Sequence, residues 1–326
     1  MIISRTPMRM SFVGGGSDLP SFYRSFGGAV VSKSVDKYVY VTVNPKFDND
    51  IRVSYSKTEE VRCVSEIQHQ LVREFLLMLG IRGGIEITSI SDIPSRGTGM
   101  GTSSSFTVGL LHALHAYRDQ YASAEQLAAE SCEIELGRCQ EPIGKQDQYA
   151  AAYGGFNLIQ FHADDPVSVD PIICKPETIR AIESGLICFY TGITRSASNL
   201  LRNQSDLMKS SGDKQHTQQT MVKLAYSLED ELQRNNISAF GEILHENWEL
   251  KKSISDDIST SAIDDWYSRA IGAGATGGKL LGAGAGGFLA FYAPPDRHEA
   301  VKAALSDLRP VPFAFENGDS RIIFYH

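Results

Sequence analysis

The 326-residue sequence has no run of 18 apolar residues, no Cys-x-x-Cys pair and no excess of positive charge. The first absence leaves no candidate for a membrane-spanning helix. The second, with five cysteines in odd number (Cys63, Cys132, Cys139, Cys174 and Cys188), argues against a structural zinc site and against a disulfide framework. A formal net charge of −8 argues against nucleic acid or an anionic membrane as the main partner. The N-terminus, Met1-Ile-Ile-Ser-Arg-Thr-Pro, lacks a signal-like apolar core, and no repeat of 20–50 residues is visible. The composition, 42% hydrophobic and 21% charged, fits a globular enzyme with room for two cores, expected to be cytoplasmic.

Glycine, by contrast, is concentrated. Residues 94–106 read Pro-Ser-Arg-Gly-Thr-Gly-Met-Gly-Thr-Ser-Ser-Ser-Phe, with Gly97, Gly99 and Gly101 alternating ahead of four hydroxyl side chains, Thr102 to Ser105. A strand-like stretch, Gly84 to Ile90, precedes this run, and a helical apolar pattern (Phe106, Leu110, Leu114, Tyr117) follows it. A strand–glycine loop–helix unit is a ready anion site, because bare backbone approaches a phosphate closely and unpaired N–H groups at the helix start point toward it. No lysine follows as a Walker A loop requires, and the glycine spacing is not that of a dinucleotide-binding turn. Taken alone, the loop reads either as a phosphate site or as a plain glycine-rich turn.

Two further clusters flank it. Met8, Met10 and Phe12 alternate with Arg9 and Ser11 in a strand that runs into Gly14-Gly15-Gly16-Ser17-Asp18, a tight turn or a site with a carboxylate suited to sugar hydroxyls. Between Gly272 and Gly287, eight of sixteen residues are glycine, which suggests backbone lining a ligand more than simple packing.

Elsewhere, 35–43 and 51–55 read as antiparallel strands around a polar turn, and 65–79 and 123–139 as helices, the second opening on a capping box at Ser123. Residues 153–161 and 186–190 read as strands, 175–180 as a connector, 204–219 as an exposed mobile loop and 220–250 as one long helix. A helix opens at Ser261, and 289–292 and 321–324 read as strands. Hairpins outnumber uniform βαβ units, so an α+β architecture in two lobes is expected, 1–180 and 181–326.

Two carboxylates stand out. Glu135 shares a small-residue helix face with Ala128 and Ser131, and Asp147 lies in a polar loop, Gly144-Lys-Gln-Asp-Gln. Each alone reads as surface charge; paired in one site, they suit a magnesium ligand and a general base. His112 and His115 lack a carboxylate to complete a metal set and read as packed or solvated, as Trp248 and Trp266 read as packing residues.

In order and spacing, the three clusters resemble the three motifs of the GHMP kinase superfamily, which phosphorylates galactose, homoserine, mevalonate and related molecules. The resemblance implies a two-lobed fold with a mixed α/β nucleotide-binding lobe and a ferredoxin-like C-terminal lobe, with ATP and Mg2+ as cofactors. It implies that Pro94, Gly97, Gly99, Met100, Gly101, Thr102, Ser103 and Ser104 wrap the ATP phosphates, and that Ser103 and Glu135 hold the metal. Asp147 takes the place of the catalytic base, and Arg9 of the arginine that helps at the transferring phosphoryl group. Gly15, Gly16, Ser17, Asp18, Asp147 and Gly284 would meet the substrate.

The first motif departs from the Gly-Glu-His-Thr-Asp of galactokinases. The strings Phe-Val-Gly-Gly-Gly-Ser-Asp-Leu-Pro, Gly-Lys-Gln-Asp-Gln-Tyr-Ala-Ala-Ala-Tyr-Gly-Gly and Thr-Gly-Ile-Thr-Arg-Ser-Ala are similar to those of the D-glycero-D-manno-heptose 7-phosphate kinases, with the fucose kinases next. That resemblance implies a sugar or sugar-phosphate acceptor. Its phosphate would need a basic receptor, for which Arg24, Lys33, Lys145, Arg195 and Lys279 are the candidates. A catalytically silent sugar sensor is the rival reading, and monomer and homodimer both stay open.

Overall fold

The computed structural model describes residues 1–94, 97–194 and 197–326. Among these, the strands are β1 (Ile2–Val13), β2 (Gly28–Pro45), β3 (Ile51–Ser54), β4 (Thr58–Val61), β5 (Ile85–Ser91), β6 (Phe156–Phe161), β7 (Val167–Pro171), β8 (Leu186–Tyr190), β9 (Gly277–Leu280), β10 (Phe288–Tyr292), β11 (Arg309–Pro310) and β12 (Arg321–Tyr325). The α-helices are α1 (Pro20–Phe26), α2 (Gln70–Met78), α3 (Thr102–Tyr117), α4 (Ala124–Cys132), α5 (Gln146–Tyr153), α6 (Pro176–Gly185), α7 (Ala197–Ser210), α8 (Gly212–Gln233), α9 (Ser238–Ile254), α10 (Ser261–Gly272) and α11 (His298–Ala304).

The larger sheet runs β12-β1-β2-β5-β3-β4, with β6 and β7 continuing from the far half of β2. The smaller runs β11-β8-β10-β9, all antiparallel. Its chain order, β8, helices, β9, β10, α11, β11, is that of a ferredoxin-like βαββαβ unit, as the resemblance implied. The last strand, β12, leaves this unit and pairs with β1, so the expected second lobe, 181–326, gives its end to the first sheet.

Strand β1 carries apolar Met8, Met10 and Phe12 alternating with Arg9 and Ser11, and successive side chains of a strand point to opposite faces. Met8, Met10 and Phe12 are buried in the core, Phe12 against the rings of Phe156, Phe240 and Phe315, while Arg9 reaches Asp147 of α5. Two register shifts against β2, at Pro7/Met8 and Ser11/Val13, bracket Arg9. The lobes are tied by Lys279 of β9, fully buried, whose Nζ donates to the carbonyls of Ser11 (2.7 Å) and Phe12 (2.9 Å). Trp248 of α9 is buried in the second core, and Trp266 caps Asp307 through its indole N–H.

Several sequence expectations change. Strands β2 and β3 are not a hairpin: β5 lies between them, antiparallel to β2 and parallel to β3. Residues 204–219 are α7 and α8, not a loop, and Gln204 and Gln218 are buried. Polar residues carry this segment because several of its contacts are to backbone: Gln204 donates to Ala283 O and Gln218 to Gly14 O. The long helix at 220–250 is two, α8 and α9, with Asn235 at positive φ in the turn. The connector at 175–180 is the start of α6, with Pro176 at its first position, where a missing N–H is harmless. Helix α10 is capped by Thr260, whose side chain accepts from Ile263 N, rather than by Ser261.

Candidate active site

A cavity of about 270 Å³ opens between the lobes. Gly97, Gly99, Gly101, Thr102, Ser103 and Ser104 form one wall, Arg9, Glu135 and Asp147 its floor, and Lys251, Gly282 and Ala283 of the second lobe face them. Gly97, Gly99 and Gly101 all sit at φ between +69° and +75°. Side-chain-bearing residues rarely adopt that region, which accounts for their i, i+2, i+4 spacing. Helix α3 starts at Thr102 with no side-chain cap, leaving its first backbone N–H groups for a ligand at the loop.

Asp147 lies in the first turn of α5, not in a loop. Its Oδ1 accepts from Arg9 Nε (2.8 Å) and Nη2 (2.6 Å), while Arg9 Nη1 donates to Gly99 O (2.6 Å). No described residue donates to its Oδ2. Gly101 lies against both members of the pair: a Cβ there would stand 3.4 Å from Arg9 Cγ and 3.5 Å from Asp147 Cγ. One carboxylate oxygen is thus fixed and the other faces the cavity, as a proton acceptor requires.

Glu135 is buried, in a single π-helical turn (Glu133–Arg138) that continues α4. Such turns re-aim side chains and recur at functional sites. Its carboxylate accepts from Ser104 Oγ (3.0 Å), Thr107 Oγ1 (3.1 Å) and Gln148 Nε2 (2.5 Å). Burial pushes its pKa up to about 7, against the three hydrogen bonds. The serine that touches it is Ser104, while Ser103 is exposed and lines the cavity. No group of three or more His, Cys, Asp or Glu side chains among the described residues makes an all-protein metal cage. A buried carboxylate held only by neutral donors, beside an exposed hydroxyl and a phosphate-type loop, nonetheless fits Mg2+, which favours one or two carboxylates plus substrate phosphates and water.

The remaining expected residues divide. Pro94 lines a neighbouring groove of about 780 Å³ with Tyr55, His69, Ile90 and Phe106, joined to the cavity through Leu71, Thr102, Ser103 and Glu141. Met100 is fully buried and reaches the site only through its carbonyl, which accepts from Arg9 N. Gly16 and Asp18 line the cavity, but both Asp18 oxygens already accept protein bonds, from Gly16 N, Gln146 N and Gln146 Nε2. Burial raises the Asp18 pKa, and nearby Asp147 adds to it.

Ser17 stands outside the cavity wall, its hydroxyl bound to Ala29. Gly15 also lies outside it, and Gly284 packs on Ile258, where a Cβ would come within 2.9 Å of its Cα. His112 and His115 are packed, hydrogen-bonded to Ser320 and Glu130.

Two family models match the chain, GHMP kinases N terminal domain over residues 62–155 and GHMP kinases C terminal over 228–309, together more than half of it. The chain belongs to the GHMP kinases. It is 28% identical to the D-glycero-alpha-D-manno-heptose 7-phosphate kinase of Campylobacter jejuni, across 93% of this chain and 92% of that protein. It is 24% identical to the L-fucokinase/L-fucose-1-P guanylyltransferase of Bacteroides fragilis, across 96% of this chain but only 37% of that protein. Among solved structures, a D-glycero-D-manno-heptose 1-phosphate kinase from Bacteroides thetaiotaomicron superposes with a TM-score of 0.81 at 25% identity, each chain covered in full.

Within this GHMP kinase, the sequence reading missed what the second lobe contributes. Lys251, Gly282, Ala283, Ser198 and Leu201 all line the cavity. The signal for Lys251 is helical phase: it follows Leu244 and Trp248 at i+7 and i+3 on the buried face of α9, whereas Lys252 pairs with Glu249 at the surface. Of the basic candidates, Lys33 is spent on Glu316 O and Asn317, Lys279 on β1, and Lys145 on Asp165. Arg195 lies outside the described residues. Arg24 is exposed, 3.9 Å from Asp165.

Proposed function

We propose that this kinase transfers the γ-phosphoryl group of ATP to the anomeric hydroxyl of D-glycero-D-manno-heptose 7-phosphate, giving the 1,7-bisphosphate and ADP. Its place would be in making nucleotide-activated heptose for surface polysaccharide. The observation that carries the chemistry is Asp147, with one oxygen fixed by Arg9 and the other open to the cavity. The likeness to the Campylobacter protein over nearly all of both chains supports the choice of sugar.

The groove beside Pro94, with the rings of Tyr55, His69 and Phe106, suits a planar base and leads into the phosphate loop. The loop's glycine backbone and the start of α3 would orient the triphosphate. Ser103 and Glu135 would hold Mg2+, which when bound neutralises charge on the phosphate oxygens. Arg9 sits where it offsets charge on the transferring group, and Asp147 Oδ2 takes the proton of the acceptor hydroxyl as its oxygen bonds to phosphorus and the bond to the ADP oxygen breaks. Phosphoryl transfer of this kind depends mainly on positioning and charge neutralisation.

A phosphate on the acceptor would have to project out of the cavity. The adjoining groove that shares Glu141 and Ile143 with it carries Arg24, Lys209, Ser21 and Ser205 and is the described basic surface in reach. A fucokinase-like activity on an unphosphorylated sugar is the second reading, supported by the Bacteroides fragilis relative.

The experiment is a coupled ATPase assay with heptose 7-phosphate, heptose 1-phosphate, fucose, galactose and mannose, with the new phosphate located by phosphorus NMR. Turnover of heptose 7-phosphate with a new signal at C1, weakened by Arg24→Glu with Lys209→Glu, supports the proposal. Preference for an unphosphorylated sugar refutes it, and binding without turnover makes the chain a sensor.

A further inference from the structure

We propose that Lys251 is an acceptor-binding residue: carried into the cavity by α9 of the second lobe, it donates hydrogen bonds to a hydroxyl of the acceptor beside the one that receives phosphate. The proposal rests on reading the cavity as the acceptor site of a kinase.

Lys251 is only 4% exposed, yet it lines the cavity. Its Nζ makes one described hydrogen bond, to Gly282 O at 3.1 Å. An ammonium group has three N–H donors, so two have no described protein partner. Burying such a group is costly unless its donors and charge are satisfied. The fold satisfies Lys279, its neighbour, through two backbone carbonyls, but leaves Lys251 incomplete. Gly15 lies against its head: a Cβ there would stand at ordinary contact distance, 3.7 Å, from Nζ.

The chemistry of the partner follows from the surrounding charges. Among the described residues, Arg9 and Lys251 are the basic side chains lining the cavity, against Asp18, Glu135, Glu141 and Asp147. A phosphate beside Lys251 would meet the fields of Asp18 and Asp147, whose interaction with the lysine also favours its charged form. A neutral hydroxyl, which accepts from the ammonium and donates onward to a carboxylate, fits both signs at once. The inner end of the acceptor is thus an uncharged polyol, and any phosphate it carries lies outside.

The test uses the full chain, an acceptor that the wild type phosphorylates and its monodeoxy analogues. Lys251→Met keeps most of the side-chain bulk and removes the donors. The expected result is an acceptor KM raised about 10–100-fold, the loss typical of one charged hydrogen bond, with the ATP KM and the melting temperature little changed. One deoxy analogue, poor for the wild type, should be handled by Lys251→Met as well as the parent sugar. An unchanged acceptor KM, or the same deoxy penalty in both proteins, overturns the proposal. Should Lys251→Met fail to fold, the wild-type panel still decides: no deoxy analogue losing more than twofold overturns it. A wild type that turns over no sugar of any kind refutes the kinase reading itself, and this inference with it.

Discussion

The two glycine-rich segments at 97–101 and 272–287 look alike in sequence and do different work. In the first, each glycine lies on the cavity wall at positive φ. In the second, only Gly282, with Ala283, reaches the cavity. Most of the others admit neighbouring protein: a Cβ on Gly277 would come within 1.9 Å of Gly241 O, on Gly278 within 2.4 Å of the Phe291 ring, and on Gly287 within 2.6 Å of Thr98 O. The two segments also press on each other. A Cβ on Gly99 would stand 2.2 Å from Leu281 O, and one on Gly282 would stand 2.4 Å from Gly99 Cα. Dense glycine therefore reports close backbone approach, and only geometry says whether the approaching group is a ligand or the other half of the protein.

If the first segment and its floor serve the ligand, the largest effect should come from the floor. Asp147→Asn should lower turnover by about 10²–10⁴-fold while leaving the fold and nucleotide binding intact, as read by steady-state rates and ATP titration. A near-normal rate would remove Asp147 from the role of base.

The second segment should respond in stability. Gly282→Ala forces a side chain onto Gly99 at a φ of +80° and should destabilise by about 1–3 kcal/mol, with activity falling as the phosphate loop shifts. Gly272→Ala, ten residues earlier, meets nothing within 4 Å at the end of α10 and should be neutral or stabilise by about 0.5–1 kcal/mol. Equal thermal shifts for the two would break the distinction drawn between them.

The loop at 97–101 was legible because its backbone sits at positive φ, and that region favours glycine. Asp147 and Arg9 were legible by motif, although their contact, across 138 residues, was not. Glu135 stood out by its small-residue helix face, but its protein contact with Ser104 was not legible, because the helical offset between Ser103 and Ser104 decides which hydroxyl turns inward. Lys251 was missed because Lys-Lys in the last turn of a helix is the ordinary pattern for favourable interaction with the helix dipole. Segment 204–219 is helical despite its polarity, because polarity in sequence does not distinguish exposure from the burial of Gln204 and Gln218 against the backbone of glycine-rich segments.

The two adjacent serines offer a finer version of the same contrast. Ser104→Ala removes one of three donors to the buried Glu135 carboxylate and should cost about 1 kcal/mol of stability, measured by denaturant unfolding. Ser103→Ala removes an exposed hydroxyl and should leave stability alone while raising the magnesium concentration needed for half-maximal rate. The reverse pattern would reassign the metal-binding serine.

The smallest expected effect is on pH dependence and concerns Lys251. Burial pulls its pKa down to about 8; Asp18 and Asp147 oppose that shift, and Arg9 adds to it, as the charge of Lys279 also would. Because the folded value lies below the unfolded 10.5, the folded protein holds fewer protons between pH 8 and 10.5, and the penalty of burying the charge is full below 8 and relieved as pH rises through that window. Binding changes in the opposite sense. An amine still donates, but without charge assistance its hydrogen bonds are roughly half as strong. The acceptor KM should therefore rise a few-fold from pH 7 to pH 9 while the ATP KM stays level, and Lys251→Met should flatten that rise. A wild-type acceptor KM that does not change over this range would separate Lys251 from the acceptor and return it to a purely packing role beside Gly282.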